Sequence, residues 1–228
     1  LHMAGRILPR VRFWRHDGKN RPVMIKNLVF DFGKVLVDYD FEHVIRDFFH
    51  QGDHLQEYCR IVLSDDFMNR CDLGVEPLED ILRQEQLAHP HLAPQLQLFY
   101  DRFDEFILGE MDGMRPLLEQ LKQKGFRLYG LTNWSQKVHG IMRKYEIFSL
   151  LDGWVISSEE HLIKPDVAIY HRLCSKYGLR AEECFFADDK PVNIEGALQA
   201  GMQAAVFTTA AQYVSDLCRQ VPGLELTI

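Results

Sequence analysis

The chain of 228 residues has a formal charge of −7, with 46% hydrophobic and 26% charged residues. That balance suits a soluble globular protein whose core can support one domain plus an insert. It speaks against a nucleic-acid or anionic-membrane surface as the main partner, and no apolar run approaches the roughly 20 residues of a membrane span.

Residues 1–23 hold six Lys or Arg and one acid, Asp17, whereas the remainder has 20 basic and 32 acidic residues. The segment lacks the apolar centre of a secretory signal and reads as a basic extension or an expression remnant, because the first strand pattern starts cleanly at Met24. Five cysteines, Cys59, Cys71, Cys174, Cys184 and Cys218, form no C-x-x-C pair. Neither a disulfide framework nor a zinc site is expected from them, and a reducing cytoplasm is the expected location.

The first predicted strand, "NLVFD", ends on Asp31, with Gly33 two places on and an aliphatic turn beyond. About a hundred residues then pass before the next, "RLYGLT", which ends at Thr132; one crossover helix needs far fewer. The interval is rich in helical patterns, "FEHVIRDFFHQ", "PLEDILRQEQLA" and "PQLQLFYDRFDEFILGE", without strand-like alternation. Within it "LSDDFMNRCDLGVEP" (63–77) reads as a polar loop. Residues 41–111 are therefore expected to form an inserted all-helical cap on a core built from 24–40 and 112–228. Phe48, Phe49, Phe99, Tyr100, Phe103 and Phe106 fall at helical spacings and are expected in the cap's own core. Junctions near Asp40 and Asp112, with Gly109 and Gly113 beside the second, predict a lid that closes over the crevice.

Further on, the strands "GWVIS" (153–157), "CFFADD" ending at Asp189 and "QAAVFT" (203–208) alternate with helical patterns. These are "SQKVHGIMRKYEIF", "DVAIYHRLCSKYG" and "NIEGALQAG", the last two stopping at Gly178 and Gly201. Continuous apolar strands alternating with helices predict an α/β fold, a Rossmann-like parallel sheet sandwiched by helices.

Asp31, Thr132 and the Asp188–Asp189 pair each close a predicted strand, and Lys164 in "HLIKPD" opens a later helix on the same side. In an open parallel sheet those ends converge on one crevice, where ligands bind. Singly, each has an ordinary explanation as a helix cap, a solvated lysine or a strand threonine. Together they suit phosphoryl transfer. Two carboxylate centres can hold Mg²⁺, and a hydroxyl and an ammonium can neutralise phosphoryl oxygens. Asp31 could both touch the metal and attack phosphorus.

In order, "DFGKVL", "LTNWS", "IKPD" and "FFADDKPVN" resemble the motifs of the haloacid dehalogenase-like hydrolase superfamily, over roughly residues 24–210. The subgroup with a helical cap after the first motif, subfamily I, is the most similar. The resemblance implies Mg²⁺-dependent hydrolysis of a small phosphorylated metabolite, with Asp31 as nucleophile, Thr132 as phosphate-binding hydroxyl and Lys164 as neutralising cation. It further implies Mg²⁺ held by Asp31, the Gly33 carbonyl and Asp189, with Asp188 supporting and Asn133 helping to bind substrate. Such a protein is expected to act as a monomer or homodimer.

Phosphatases of this superfamily usually read Asp-x-Asp in the first motif, whereas this chain reads Asp31-Phe32-Gly33. Gly33 keeps the carbonyl and loses the carboxyl that serves proton transfer. Sugar-phosphate phosphatases resembling glucose-1-phosphate phosphatase carry a similar glycine. A missing general acid predicts a preference for sugar 1-phosphates and other activated esters over 6-phosphates. Two other readings are a metal-independent 2-haloacid dehalogenase and a non-catalytic phospho-ligand binder or scaffold. The first would leave the Asp188–Asp189 charges uncompensated, and the second would not need the retained nucleophile, cation and acids.

Overall fold

The computed structural model describes residues 23–49 and 54–227, so the basic segment lies outside the described residues except for its last member. In chain order, β1 (Asn27–Phe30) and β2 (Val37–Tyr39) lead into five helices. These are α1 (Phe41–Arg46), α2 (Leu55–Val62), α3 (Asp65–Leu73), α4 (Leu78–Ala88) and α5 (Ala93–Asp101). The chain returns through β3 (Ile107–Glu110) to α6 (Met114–Gln123), β4 (Arg127–Thr132) and α7 (Val138–Lys144). Next come β5 (Gly153–Ile156), the short α8 (Ser157–Glu160), α9 (Val167–Tyr177) and β6 (Cys184–Asp188). Last are α10 (Pro191–Gln199), β7 (Gln203–Val206) and α11 (Ala210–Gln220).

Five parallel strands form one sheet in the order β5-β4-β1-β6-β7. Side chains alternate across it. Leu28 and Phe30 face one layer with Leu117, Leu118, Leu121, Tyr213 and Leu217, from α6 and α11. Val29, Tyr129, Leu131 and Phe186 face the other layer, with Ile169, Leu173, Ile194 and Ala197 from α9 and α10. A sheet covered on both faces needs apolar residues at every position, and this explains the unbroken runs in the sequence. The register aligns Phe30 with Gly130 on one side and Ala187 on the other. Asp31 thus leaves the sheet centre between the ends of β4 and β6.

The interval between β2 and β3 is mostly helical, but it is bounded by an element the sequence did not suggest. β2 and β3 pair antiparallel, with Val37 opposite Glu110 and Asp38 opposite Gly109. Further bonds at each end, Asp40 N–H to the Phe106 carbonyl and Met111 N–H to the Leu36 carbonyl, are both 2.9 Å. The expected helix through "PQLQLFYDRFDEFILGE" stops at Asp101, turns through a 3-10 segment (Phe103–Phe106) and then extends. Pairing with β2, which lies over sixty residues away, overrides the local helical period here.

The stretch expected as a polar loop at 63–77 is largely helix α3. Ser64 caps it by accepting the Phe67 N–H at 3.2 Å, and Asp65 and Asp66 sit in the first turn, where the helix dipole favours acids. Phe67 and Cys71, four residues apart, are buried on one face. At its end Gly74 takes φ 63°. Phe48, Phe99, Phe103 and Phe106 are buried as expected, with Phe49 and Tyr100 partly buried against them. Among the described residues no helix is long and apolar enough to cross a membrane, and all five cysteines are free.

Candidate active site

A cavity of about 470 Å³ opens where the sheet's carboxyl ends meet the helices between β2 and β3. Asp31, Gly33, Thr132, Asn133, Lys164 and Asp189 all line it, as do Tyr39 from β2, Asp72 from α3, Lys190 and Asn193. Asp188, fully buried, lies beneath them. All seven residues singled out from the sequence therefore come together.

One cation organises the floor. Lys164 Nζ lies 2.9 Å from Asp31 Oδ1 and 2.6 Å from Asp188 Oδ2. Asp188 is further satisfied by the Lys190 N–H at 2.8 Å and by Asn193 Nδ2, 3.0 Å from each oxygen. Burial would raise the Asp188 carboxyl, but Lys164 and these donors outweigh it and hold it below the usual carboxylate range. Asp31 fares differently, because beyond its share of Lys164 it accepts, among the described residues, only the Phe32 N–H, at 2.7 Å. Burial, reinforced by the Asp188 charge, pushes Asp31 up to about 7 against the pull of Lys164. Asp189 is also raised, first by burial and then by Asp188. Lys164 is raised above its ordinary value, because the two carboxylates overcome its burial.

The donor set fits a hard divalent cation. Ligand oxygens of Asp31, Asp188 and Asp189 lie within 4.8 Å of one another. Lys164 pairs with Asp31 and Asp188, and Lys190 lies near Asp189, so three carboxylates face two lysines, an acidic excess that oxygen-seeking Mg²⁺ would neutralise. With Asp188 bonded through both oxygens, Asp31 and Asp189 are the carboxylates left to reach an ion. The turn after Asp31 is closed by Lys34 N–H to the Val37 carbonyl at 2.7 Å and by the amides of Val35, Leu36 and Val37 converging on the Phe32 carbonyl. The Gly33 carbonyl takes no part in that turn. A second group, exposed His54 and His91 with half-buried Glu57, lies outside the cavity, where Glu57 ties α2 to the segment after α4.

Asn133 lines the cavity with its amide engaged at both ends. Its Oδ1 accepts the Lys164 N–H at 2.8 Å, and its Nδ2 donates to the Lys164 carbonyl at 3.0 Å. The residue after Thr132 thus fixes the backbone that carries the cation, a role the sequence did not suggest. Asn193 was not singled out either, although it closes the quoted motif "FFADDKPVN". Tyr39 and Asp72 were also missed. Tyr39 packs its ring against Gly33, and burial, with Asp189, Asp31 and Asp72 nearby, pushes its phenol up to about 12. Asp72 had one legible signal. An acid in the last turn of α3, just before the terminal glycine, opposes the helix dipole and so calls for a reason.

Comparison with known proteins gives the family and the fold. Residues 25–201 match the family model described as haloacid dehalogenase-like hydrolase. A curated relative, "Phosphatase MT3486" of Mycobacterium tuberculosis, is 26% identical over 211 residues, covering 88% of this chain and 95% of that protein. The Arabidopsis thaliana protein "Flavin mononucleotide hydrolase 1" is 29% identical over 107 residues, 47% of this chain and 44% of that one, so the match spans less than half of its length. Among solved structures, the HAD family enzyme bt-2542 of Bacteroides thetaiotaomicron superposes with a TM-score of 0.71 at 19% identity, over 85% of this chain and 98% of the other. That enzyme has also been crystallised with magnesium and inorganic phosphate.

Proposed function

Because the chain belongs to the haloacid dehalogenase-like hydrolase family, we propose that it is a Mg²⁺-dependent phosphatase of a small phosphorylated metabolite, working through an aspartyl phosphate on Asp31. The observation that carries this reading is the sharing of one buried lysine by Asp31 and Asp188 beneath a cavity that Thr132 and Asp189 also line. Phosphatase names among relatives and the magnesium-phosphate complex of bt-2542 support it.

In this reading Asp31, Asp189 and the Gly33 carbonyl hold Mg²⁺, with Asp188 supporting. Bound there, the ion would supply positive charge to offset that of the phosphoryl group. Asp31 attacks phosphorus through a carboxylate oxygen. The Thr132 hydroxyl and the Lys164 ammonium hold phosphoryl oxygens as charge moves onto them. Asn133 keeps Lys164 in place through its main chain, and its remaining Nδ2 hydrogen can face the substrate. Water then cleaves the aspartyl phosphate and frees Asp31. A cavity of about 470 Å³ suits a small alcohol portion, of sugar-phosphate size or less. A dehalogenase would have no use for the Asp189 carboxyl, and a scaffold none for an under-paired nucleophile.

The experiment is phosphate release from p-nitrophenyl phosphate and a panel of metabolite phosphates, with Mg²⁺ and with excess chelator. Release that requires Mg²⁺ is the expected result. Equal release in chelator, or chloride release from 2-haloacids without metal, would overturn the assignment.

A further inference from the structure

The first motif lacks its second carboxyl, and the Tyr39 ring crowds that position. A Cβ at Gly33 would lie 2.8 Å from Tyr39 Cε1, so the Tyr39 ring occupies the space. A proton donor has to come from elsewhere. In an in-line displacement the leaving oxygen points away from the nucleophile, toward the helices that roof the cavity, and the donor belongs on that side.

Four aspartates line the cavity: Asp31, Asp65, Asp72 and Asp189. Asp31 and Asp189 serve the metal and phosphorus, and Asp65 is exposed. Asp72 stands on α3, half-buried and lining the cavity. Its main chain is held to the core. The Ser157 hydroxyl donates to the Asp72 carbonyl at 2.5 Å and accepts the Trp134 N–H at 2.9 Å, two residues after Thr132. His161 Nδ1 lies 3.1 Å from the Leu73 carbonyl. A Cβ at Gly74 would come within 2.4 Å of the Ser158 carbonyl oxygen, so only glycine lets α3 approach this closely. A main chain so anchored fixes where the Asp72 side chain starts relative to Thr132, as the support of a proton donor must.

We propose that Asp72 is the general acid and base of the phosphatase, replacing from the roof of the cavity the carboxyl that Gly33 lacks. This rests on the phosphatase reading above. In the first step the Asp31 carboxylate bonds to phosphorus and the bond from phosphorus to the leaving oxygen breaks. The electron pair stays on that oxygen, which takes the Asp72 proton and departs as the alcohol. In the second step the Asp72 carboxylate takes a proton from water as the water oxygen bonds to phosphorus. The Asp31–phosphorus bond breaks, and inorganic phosphate leaves with Asp72 protonated again.

The charge environment agrees. Burial is the main cause that pushes Asp72 up to about 7; Asp31 adds to it, while Lys190 and Lys164 oppose it. Burial, the largest cause, comes from the packing around Asp72 itself, and a carboxyl raised in this way suits giving and taking a proton.

The test compares wild type with Asp72→Asn in single-turnover experiments with Mg²⁺, using p-nitrophenyl phosphate, phenyl phosphate and glycerol 3-phosphate. Wild-type phosphorylation of Asp31 should depend weakly on leaving-group acidity. In Asp72→Asn it should fall on the order of 10²–10³-fold for glycerol 3-phosphate and less than about tenfold for p-nitrophenyl phosphate. Phosphoenzyme should also accumulate in the variant with p-nitrophenyl phosphate, because its hydrolysis loses the base. Asp72→Glu should recover part of the glycerol 3-phosphate rate. A uniform loss across the three esters, or none, in a variant with wild-type thermal stability would overturn the role of Asp72. If wild type releases no phosphate from any ester, the phosphatase reading fails and this inference falls with it.

Discussion

The Tyr39 ring stands where a side chain at position 33 would go, with Cε1 2.8 Å from the place of a Cβ. The glycine is therefore demanded by its neighbour, since φ at Gly33 is not in the left-handed region. Restoring the family's usual motif by Gly33→Asp alone should overpack the site, at a cost of about 1–3 kcal/mol, and lower turnover. Gly33→Asp combined with Tyr39→Ala opens the space and should recover both thermal stability and turnover on alkyl phosphates. A single Gly33→Asp variant that is fully stable and more active than wild type would show that Tyr39 moves aside freely.

Asp31→Asn separates chemistry from stability. The amide cannot attack phosphorus, so turnover should fall on the order of 10⁴-fold or more. Stability of the metal-free protein should hold or rise, because Asp31 is the less compensated of the two carboxylates that share Lys164. Thermal melts and phosphate release, run on the same preparation, check both halves. A folded Asp31→Asn protein with near-normal turnover would exclude the covalent route.

Legibility in the sequence followed how local each determinant is. β4 was readable to its last residue, Thr132, because a doubly covered strand must be apolar throughout. Asp31, Thr132 and Asp189 were readable because strand ends place them in a common crevice. The β2–β3 ribbon was not readable, because each three- or four-residue strand exists only through the other. Helix α3 was hidden by its polar residues, among them Asp65, Asp66 and Arg70. Arg70 reaches Glu76 at 2.9 Å and Glu85 at 3.2 Å, bonds that tie α3 to α4 and that composition alone does not distinguish from solvation. Tyr39 and Asp72 became site residues only when separate elements packed together.

Metal and proton should compete at Asp31. Its folded-state value, about 7, lies above the unfolded carboxylate value near ~4. Between those values the folded protein keeps a proton that the unfolded chain has released, so metal-free stability declines as pH rises through that window. Mg²⁺ needs the ionised carboxylate. Its stabilising shift in melting temperature should therefore be small near about pH 5 and grow to a plateau above about pH 7. Asp189→Ala should abolish most of the shift at every pH. A Mg²⁺ shift that is the same across this range would mean that the ion does not contact Asp31.

Gly74 and Gly178 offer a matched pair for testing how the roof is held. Both end helices at φ 63°, but a Cβ at Gly178 meets nothing within 4 Å, whereas one at Gly74 falls 2.4 Å from the Ser158 carbonyl oxygen and 2.6 Å from its Cα. Alanine at either site carries the left-handed backbone cost, about 1–2 kcal/mol. Only Gly74→Ala must also push α3 away from α8. Gly178→Ala should thus lower the melting temperature with turnover intact. Gly74→Ala should lower it further and reduce turnover at least tenfold, because Asp72 and the Ser157 bond move with the helix. Hydrogen exchange should quicken at 65–74 and 157–161 in Gly74→Ala alone. If Gly74→Ala matches Gly178→Ala in all three measurements, the contact between α3 and α8 does not hold the site together.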